Sequence, residues 1–559
     1  MTLPDHNYTI TPLLFNKNKI YEIESGEFSN NFPVVYIIYD LKLKSAYVGE
    51  TINVVQRMQT HLNNPDKKKL KYLIIISSPY FNKSSTLDIE SYLIKYLPPG
   101  SNLSLINGNA GLIGHDYYQK KSYYAIFNNI WKNLKLKNIV TSDILDIDNS
   151  DLFKFSPYKS LSQDQNKAIL HYLNVLLNND ESTIFVDGSA GTGKTILAVY
   201  LVKLLLTDVD IEDYNQKDPE TISAIKKVKE IRDSSEKLSI ALVVPMTSLR
   251  KTLKKVFKNI RGLFANMVIG PSDVFKKKYD ILIVDEAHRL HRRFGITNYG
   301  AFDKNNEILE LGNSGDELDW INRNSKHQLY FYDEYQSIRP SDIPREKFIN
   351  LKSNNNTIKL TSQMRVKGGT GYIDFVHRLL HPESECSPDY FDDEIYDLKL
   401  FSSFTELREA LKIKEKEHGL CRMMAGYSWK WVSKKSNEPD AIIEEIELYW
   451  NRVPSDWINS TTSMNEIGCI HTTQGYDLNY AGIILGKDII FHDETNSIDI
   501  VRENYFDKKG RVGINDLSIL KAYIINIYKT LMLRGIHGAY IYCCDKKLHK
   551  YFSNFMKTV

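Results

Sequence analysis

The chain has 559 residues, 42% of them hydrophobic, with 72 Lys and Arg against 69 Asp and Glu and a formal net charge of +3. That length holds about three or four domains with ordinary cores, and the near-neutral balance excludes a histone-like polycation while neither demanding nor excluding nucleic acid. No apolar run approaches the roughly 20 residues that span a bilayer, the first residues lack the basic-then-apolar order of a secretion signal, and the cysteines show no paired-ligand spacing, so reduced thiols and a cytoplasmic address are expected, without disulfides or zinc.

The first predicted elements are two short strands, Pro33 to Tyr39 and Ser45 to Gly49, joined by a turn and followed by a helix from about Asn53 to Leu62. Arg57 and His61, four residues apart, share one face of that helix. Further on, a step of about 100° per residue puts Glu90 on the stripe of Leu87, Ile94 and Leu97. Burying an unpaired charge is too costly, so a carboxylate there must meet a metal ion or a basic side chain.

Together these residues resemble the GIY-YIG nuclease family. Val34-Val35-Tyr36 stands in place of the first triplet, its tyrosine kept and its glycine missing, and Tyr47-Val48-Gly49 in place of the second. Asn107 matches the family's late asparagine. The resemblance implies a small α+β nuclease domain over residues 1–118, with a single magnesium at Glu90 and Arg57 stabilising charge on the scissile phosphate. Tyr36, Tyr47 or His61 would position or deprotonate water, in a division of labour left open. Residues 1–121 hold 13 Lys and Arg against 10 Asp and Glu, too small an excess for a broad electrostatic clamp. Grip on the substrate is therefore expected from the rest of the chain.

Residues 119–154 read as a connector with a helical core around Tyr124 to Leu136 and an acidic end. Then Gly188-Ser189-Ala190-Gly191-Thr192-Gly193-Lys194-Thr195 follows the apolar Ile184-Phe185-Val186 and precedes a helical pattern from Ile196. This is a phosphate loop in a strand–loop–helix setting. Gly188, Gly191 and Gly193 let backbone N–H groups close around a polyphosphate, Lys194 reaches its β and γ groups, and the Thr195 hydroxyl suits magnesium. Downstream, the buried parallel strand Tyr279 to Val284 runs into Asp285-Glu286-Ala287-His288. Asp285 is placed to hold magnesium through water and Glu286 to orient or deprotonate the attacking water. ATP and magnesium are the expected cofactors, and hydrolysis the expected outcome.

Other fragments fall at strand ends, where α/β sheets bind ligands. They are Val243 to Thr247 and Leu329 to Gln336, with Gln336 a candidate γ-phosphate sensor. Leu161-Ser162-Gln163-Asp164-Gln165 precedes the loop. Leu360-Thr361-Ser362-Gln363-Met364-Arg365, Arg422 to Trp431, His471-Thr472-Thr473-Gln474-Gly475-Tyr476-Asp477 and Leu531 to Gly535 follow it. Their order resembles superfamily 1 helicases, and Arg422 to Trp431 looks like the Schlafen-type helicase domain of bacterial proteins. The resemblance, over about residues 155–559, implies two RecA-like parallel-sheet domains, 155–350 and 351–559. It also implies Gln165 as adenine reader, Gln474 and Gly475 at the nucleotide site, and Arg365 and Arg534 as arginine fingers. Tyr332, where the family often has Gly, and Leu533, where a Thr often precedes the last Arg, depart from the pattern and bear on unwinding more than on hydrolysis.

The polar stretches Asp208 to Lys237 and His492 to Arg511 read as surface insertions, and the run Lys67-Lys68-Lys69 as a solvated face or a backbone-tracking surface. The chain is thus expected to be an α/β protein: an ATP-driven nucleic-acid motor tethered to a metal-dependent endonuclease. DNA is favoured over RNA as partner, and prokaryotic defence against phage is the expected role. The alternatives are a nucleotide-gated nucleic-acid-binding or signalling module, and an RNA-cleaving enzyme.

Overall fold

The computed structural model describes residues 8–22, 30–107, 119–159, 161–206, 219–234, 238–334, 336–337, 339–383, 387–453, 456–473 and 476–559. They fall into two compact units, one of 1–179 with 196–238 and 253–268, the other of 180–195 with 239–252 and 269–559.

The first unit is built on β1 (Thr9–Leu14), β2 (Asn30–Asp40), β3 (Ser45–Asn53), β4 (Tyr72–Ser77) and β5 (Ser104–Leu105), in sheet order β1-β4-β2-β3-β5. All pairs are antiparallel except β3 with β5. The expected hairpin is β2–β3, and its register sets Tyr36 opposite Gly49. Asn53 starts the helix Val54–Asn63 by accepting the Gln56 N–H at 3.1 Å, and that helix buries Val54, Val55, Met58 and His61. It packs into one cluster with Val34, Tyr36, Ile38 and Tyr47. The alternate residues Val35 and Ile37 are buried as completely, which is why the strand reads as a continuous apolar run.

The helix Lys83–Gly100, opened by an Asn82–Ser85 capping box, packs on β2 and β3 and carries Glu90 inward. The segment read as a connector forms the helix Lys120–Leu136, which lies on Lys83–Gly100 with Phe127 and Trp131 against Tyr96 at 5.4 and 6.0 Å. A Cβ at Gly100 would sit 2.4 Å from the Trp131 ring, so glycine is what lets the two helices close.

In the second unit β6 (Ser182–Gly188), β7 (Ile240–Val243), β9 (Tyr279–Val284), β10 (Ser325–Tyr332) and β11 (Asn356–Leu360), with β8 (Val268–Ile269) at the unit boundary, form a sheet in the order β11-β6-β10-β9-β7-β8. The pairs β6–β10, β9–β10, β6–β11 and β7–β9 are parallel. The C-terminal ends of β6, β10 and β9 therefore lie side by side, and the phosphate loop, Asp333 and Asp285-Glu286 follow those three strands. A second sheet joins β12 (Asp397–Leu400), β13 (Cys421–Ala425), β14 (Ala441–Ile443), β15 (Ile446–Trp450), β16 (Glu466–Cys469), β17 (Leu478–Leu485) and, after the hairpin of β18 (Ile489–His492) and β19 (Ser497–Ile500), β20 (Gly535–Cys543). It is parallel apart from the edge pair β14–β15. The architecture is the expected one: a small α+β domain followed by two parallel-sheet domains. Among the described residues no helix is long and apolar enough to cross a membrane.

Candidate active sites

The phosphate loop turns through Gly191 at φ +86° and Gly193 at φ +79°, a region that favours glycine. Lys194 is buried and donates to the carbonyls of Gly188 (2.5 Å) and Ser189 (2.9 Å) and to Asp333 (3.4 Å). Thr195 donates to Asp285 Oδ2 at 2.8 Å. The other oxygen, Asp285 Oδ1, is buried without a hydrogen-bond partner among the described residues. Burial and the neighbouring Glu286 charge push Asp285 up. Burial alone would do the same to Glu286, but His288, 2.9 Å away, with Lys194 and Arg534, draws it down. Glu286 also takes the left-handed conformation, at φ +53°.

Both expected fingers reach this loop's surroundings. A Cβ at Gly191 would lie 2.1 Å from Gln363 Oε1 and 2.9 Å from Arg365 Cβ, while Gln363 donates to the Ala190 carbonyl and Met364 N–H to that of Gly191. Arg365 pairs with Asp477. Arg534 is 2% exposed and donates to the Tyr476 carbonyl at 3.3 Å. Burial and Arg365 bring it down to about 10 against the pull of Asp477, Glu286 and Asp333.

Other expected residues lie differently. Gln336 donates to Asp333 at 2.6 Å, so it meets Lys194 through a shared carboxylate. Gln165 spends its side-chain oxygen on the Ser162 N–H, closing a capping box on its own helix. Gln474 and Gly475 lie outside the described residues. Asp333 and His288 were not singled out from sequence; their signal is adjacency to Gln336 and Glu286.

In the first unit the expected tyrosine, arginine and histidine meet. Tyr36 Oη is 2.8 Å from His61 Nε2 and accepts from Arg57 Nε at 3.4 Å. Tyr47 stacks on Tyr36 at 6.2 Å and meets the His61 edge at 4.9 Å. A Cβ at Gly49 would fall 2.2 Å from Tyr36 Oη, so the glycine of the second triplet makes room for the tyrosine of the first. Asn107 brackets Val48, accepting its N–H at 2.9 Å and donating to its carbonyl at 2.7 Å. Glu90 is 8% exposed on its helix. Burial, with Lys67 and Arg57 close by, holds His61 down at about 2, so the ring is neutral at ordinary pH. Lys67 is the residue the sequence hid: it leaves the lysine run, is 3% exposed, and sets its ammonium 3.9 Å over the Tyr47 ring.

A third feature lies in the second unit. Two cavities of about 440 and 470 Å³ share Pro245, Thr247, His291 and Arg339. Tyr427, Trp431 and His471 line the first, Arg250 and Lys509 the second. Joined through the four shared residues, they make a trough whose lining holds aromatic and basic side chains together with the acidic Asp342 and Glu317.

The phosphate loop and its acidic partner strand define the broad class, a P-loop nucleotide-binding protein. More narrowly, the chain belongs to the family described as Schlafen group 3, DNA/RNA helicase domain, whose model matches residues 181–545, and it carries a GIY-YIG catalytic domain at 32–102. It is 24% identical over 404 residues to uncharacterized protein YPL245W of Saccharomyces cerevisiae, covering 65% of this chain and 82% of that one. Solved structures similar to it include arterivirus nonstructural protein 10, a helicase with DNA, at 12% identity and TM-score 0.29. That match covers 68% of this chain and 65% of the viral one, so the chain spans just under two thirds of that relative. Another is Pif1 helicase from Bacteroides with ADP-AlF3 and ssDNA, at 11% identity and TM-score 0.24, over 68% of this chain and 92% of that one.

Proposed function

We infer that the chain is an ATP-hydrolysing motor on nucleic acid joined to a metal-dependent endonuclease. The observation that carries the motor is that Lys194, the Thr195–Asp285 pair, Glu286, Arg365 and Arg534 all lie about one phosphate loop. Lys194 and the loop amides would cradle the polyphosphate, Glu286 would orient and deprotonate water, and the two guanidinium groups would face the transferring phosphoryl group. Thr195 and the unpartnered Asp285 Oδ1 fit magnesium, which when bound would neutralise phosphate charge. The trough's aromatic rings and cations suit a single strand, bases stacking and phosphates pairing.

In the nuclease, the Tyr36 hydroxyl shares a hydrogen bond with the neutral His61 and accepts one from Arg57, which would hold Tyr36, beside Tyr47 and His61, to position or deprotonate water. Lys67 and Arg57 would bring positive charge beside Tyr47 and Tyr36, suited to a phosphodiester. Among the described residues no three His, Cys, Asp or Glu side chains gather as a metal cage. A magnesium at Glu90 would therefore lean on substrate and water oxygens and supply charge to the leaving group.

DNA remains the favoured substrate, and a role in prokaryotic defence rests on the pairing of the two domains; plating of phage on cells with and without the gene tests it. The central experiment measures ATP hydrolysis and cleavage of labelled DNA and RNA on one preparation with magnesium. Glu286→Gln should abolish hydrolysis only, and Glu90→Ala cleavage only. Cleavage that survives Glu90→Ala would remove Glu90 from the metal site, and a wild-type protein that cuts neither DNA nor RNA would leave the nucleotide-gated binding module as the better reading.

A further inference from the structure

The polar stretch that interrupts the second sheet has a definite course. After β19 it turns at Arg502–Asn504, anchors by the Phe506 N–H to the Tyr427 carbonyl (2.8 Å), and brings Lys509 into the lining of the second cavity. Its tip lands on the loop after the DEAH strand: Lys509 Nζ donates to Thr297 Oγ1 at 2.7 Å, and Gly513, at φ +70°, lies so close to Phe294 that a Cβ would sit 2.6 Å from the ring. Between root and tip, Asp507 points its Oδ2 at two trough-lining groups, His471 Nε2 at 3.2 Å and Arg339 at 3.9 Å.

We propose that Asp507 occupies the seat of a backbone phosphate in this trough, so that single-stranded nucleic acid binds by displacing the 502–513 arm. The inference rests on reading the trough as the nucleic-acid track. Asp507 is an anion there: burial would raise it, but the hydrogen bond from His471 and the charge of Arg339 hold it at about 2, while burial keeps His471 itself down at about 4, a neutral donor. Its fit is partial. The Arg339 contact is long, and Arg339 Nε is buried without a hydrogen-bond partner among the described residues. A phosphate, with more oxygens in a wider array, satisfies both Arg339 and His471 where one carboxylate oxygen is shared between them. The arm therefore excludes weak competitors and yields to a polyanion that makes several such contacts at once.

Anisotropy of a labelled single-stranded oligonucleotide, DNA and RNA in turn, on the full-length protein at fixed salt tests this. Asp507→Asn keeps the cap on the Lys509 N–H and removes the competing charge; affinity should tighten about tenfold. Thr297→Val loosens the tip without changing charge and should speed association. Glu494→Gln, a charge-matched change on the exposed β18–β19 turn, should do neither. The proposal fails if folded Asp507→Asn, judged by its melting curve, binds within about twofold of wild type or more weakly, or if Glu494→Gln tightens binding equally. If neither wild type nor variant binds either strand, the trough reading falls and the proposal with it.

Discussion

Gly49→Ala isolates the geometry of the nuclease site better than removing a catalytic group. The position lies in β3 with no left-handed backbone requirement, so alanine costs nothing in φ and ψ. The added Cβ would nevertheless lie 2.2 Å from Tyr36 Oη and 2.4 Å from its Cζ, whereas ordinary contact begins near 3.4 Å. Tyr36 must retreat by about 1 Å, and a misplacement of that size costs on the order of 100-fold in rate. Overpacking a filled core adds about 1–3 kcal/mol of destabilisation. The retreat also pulls the hydroxyl off His61 and Arg57. Cleavage of plasmid DNA should fall by roughly two orders of magnitude, while ATP hydrolysis stays at the wild-type rate. Wild-type cleavage by a folded Gly49→Ala protein would mean that Tyr36 does not act from this position.

Acid should expose His61. Its folded-state value, about 2, lies below the ordinary value of 6.5, so on acidification the unfolded chain takes up the proton first, and this contribution is lost as pH falls below about 6. Down to about pH 4 His61 alone should cost up to about 1.4 kcal/mol per unit, and urea midpoints of His61→Asn should show a correspondingly flatter pH dependence than wild type. Lys67→Met removes one of the charges that hold His61 down, so the acid limb of the cleavage profile should move to higher pH, with partial return in Lys67→Arg; an unmoved limb would sever Lys67 from the site. Arg534→Ala should slow ATP hydrolysis by about 10³-fold or more with nucleotide affinity kept, and normal turnover would remove it as a finger.

What sequence made legible is what depends on near neighbours along the chain. The phosphate loop, its flanking strand and helix, the acidic strand end and the β2–β3 hairpin are all local patterns. Ser162-Gln163-Asp164-Gln165 is a local pattern too, a capping box in which the Gln165 side-chain oxygen accepts the Ser162 N–H. Asp333 was hidden because its meeting with Lys194 follows from β6 and β10 being neighbours, with Asp187 opposite Tyr332, a pairing across more than a hundred residues. Lys67 was hidden for another reason: three consecutive lysines look alike in sequence, and only the turn after the Arg57 helix sends the first one inward.

The two departures from the helicase pattern also find physical accounts in the fold. Tyr332, where the family often has glycine, packs on Phe348 at 4.5 Å, lies under the Lys352 ammonium at 4.1 Å and meets the His288 ring at 6.3 Å. A large ring there fills the space beside His288, the neighbour of Glu286, which a glycine would leave open. Leu533, preceding the last arginine, is 4% exposed in the core of the second sheet, where a threonine hydroxyl would need a partner. Arg534 is instead aimed by its backbone, its N–H donating to the Leu531 carbonyl and its own carbonyl accepting the Leu478 N–H. The guanidinium is thus held by the start of β17, and placing it does not require the missing hydroxyl.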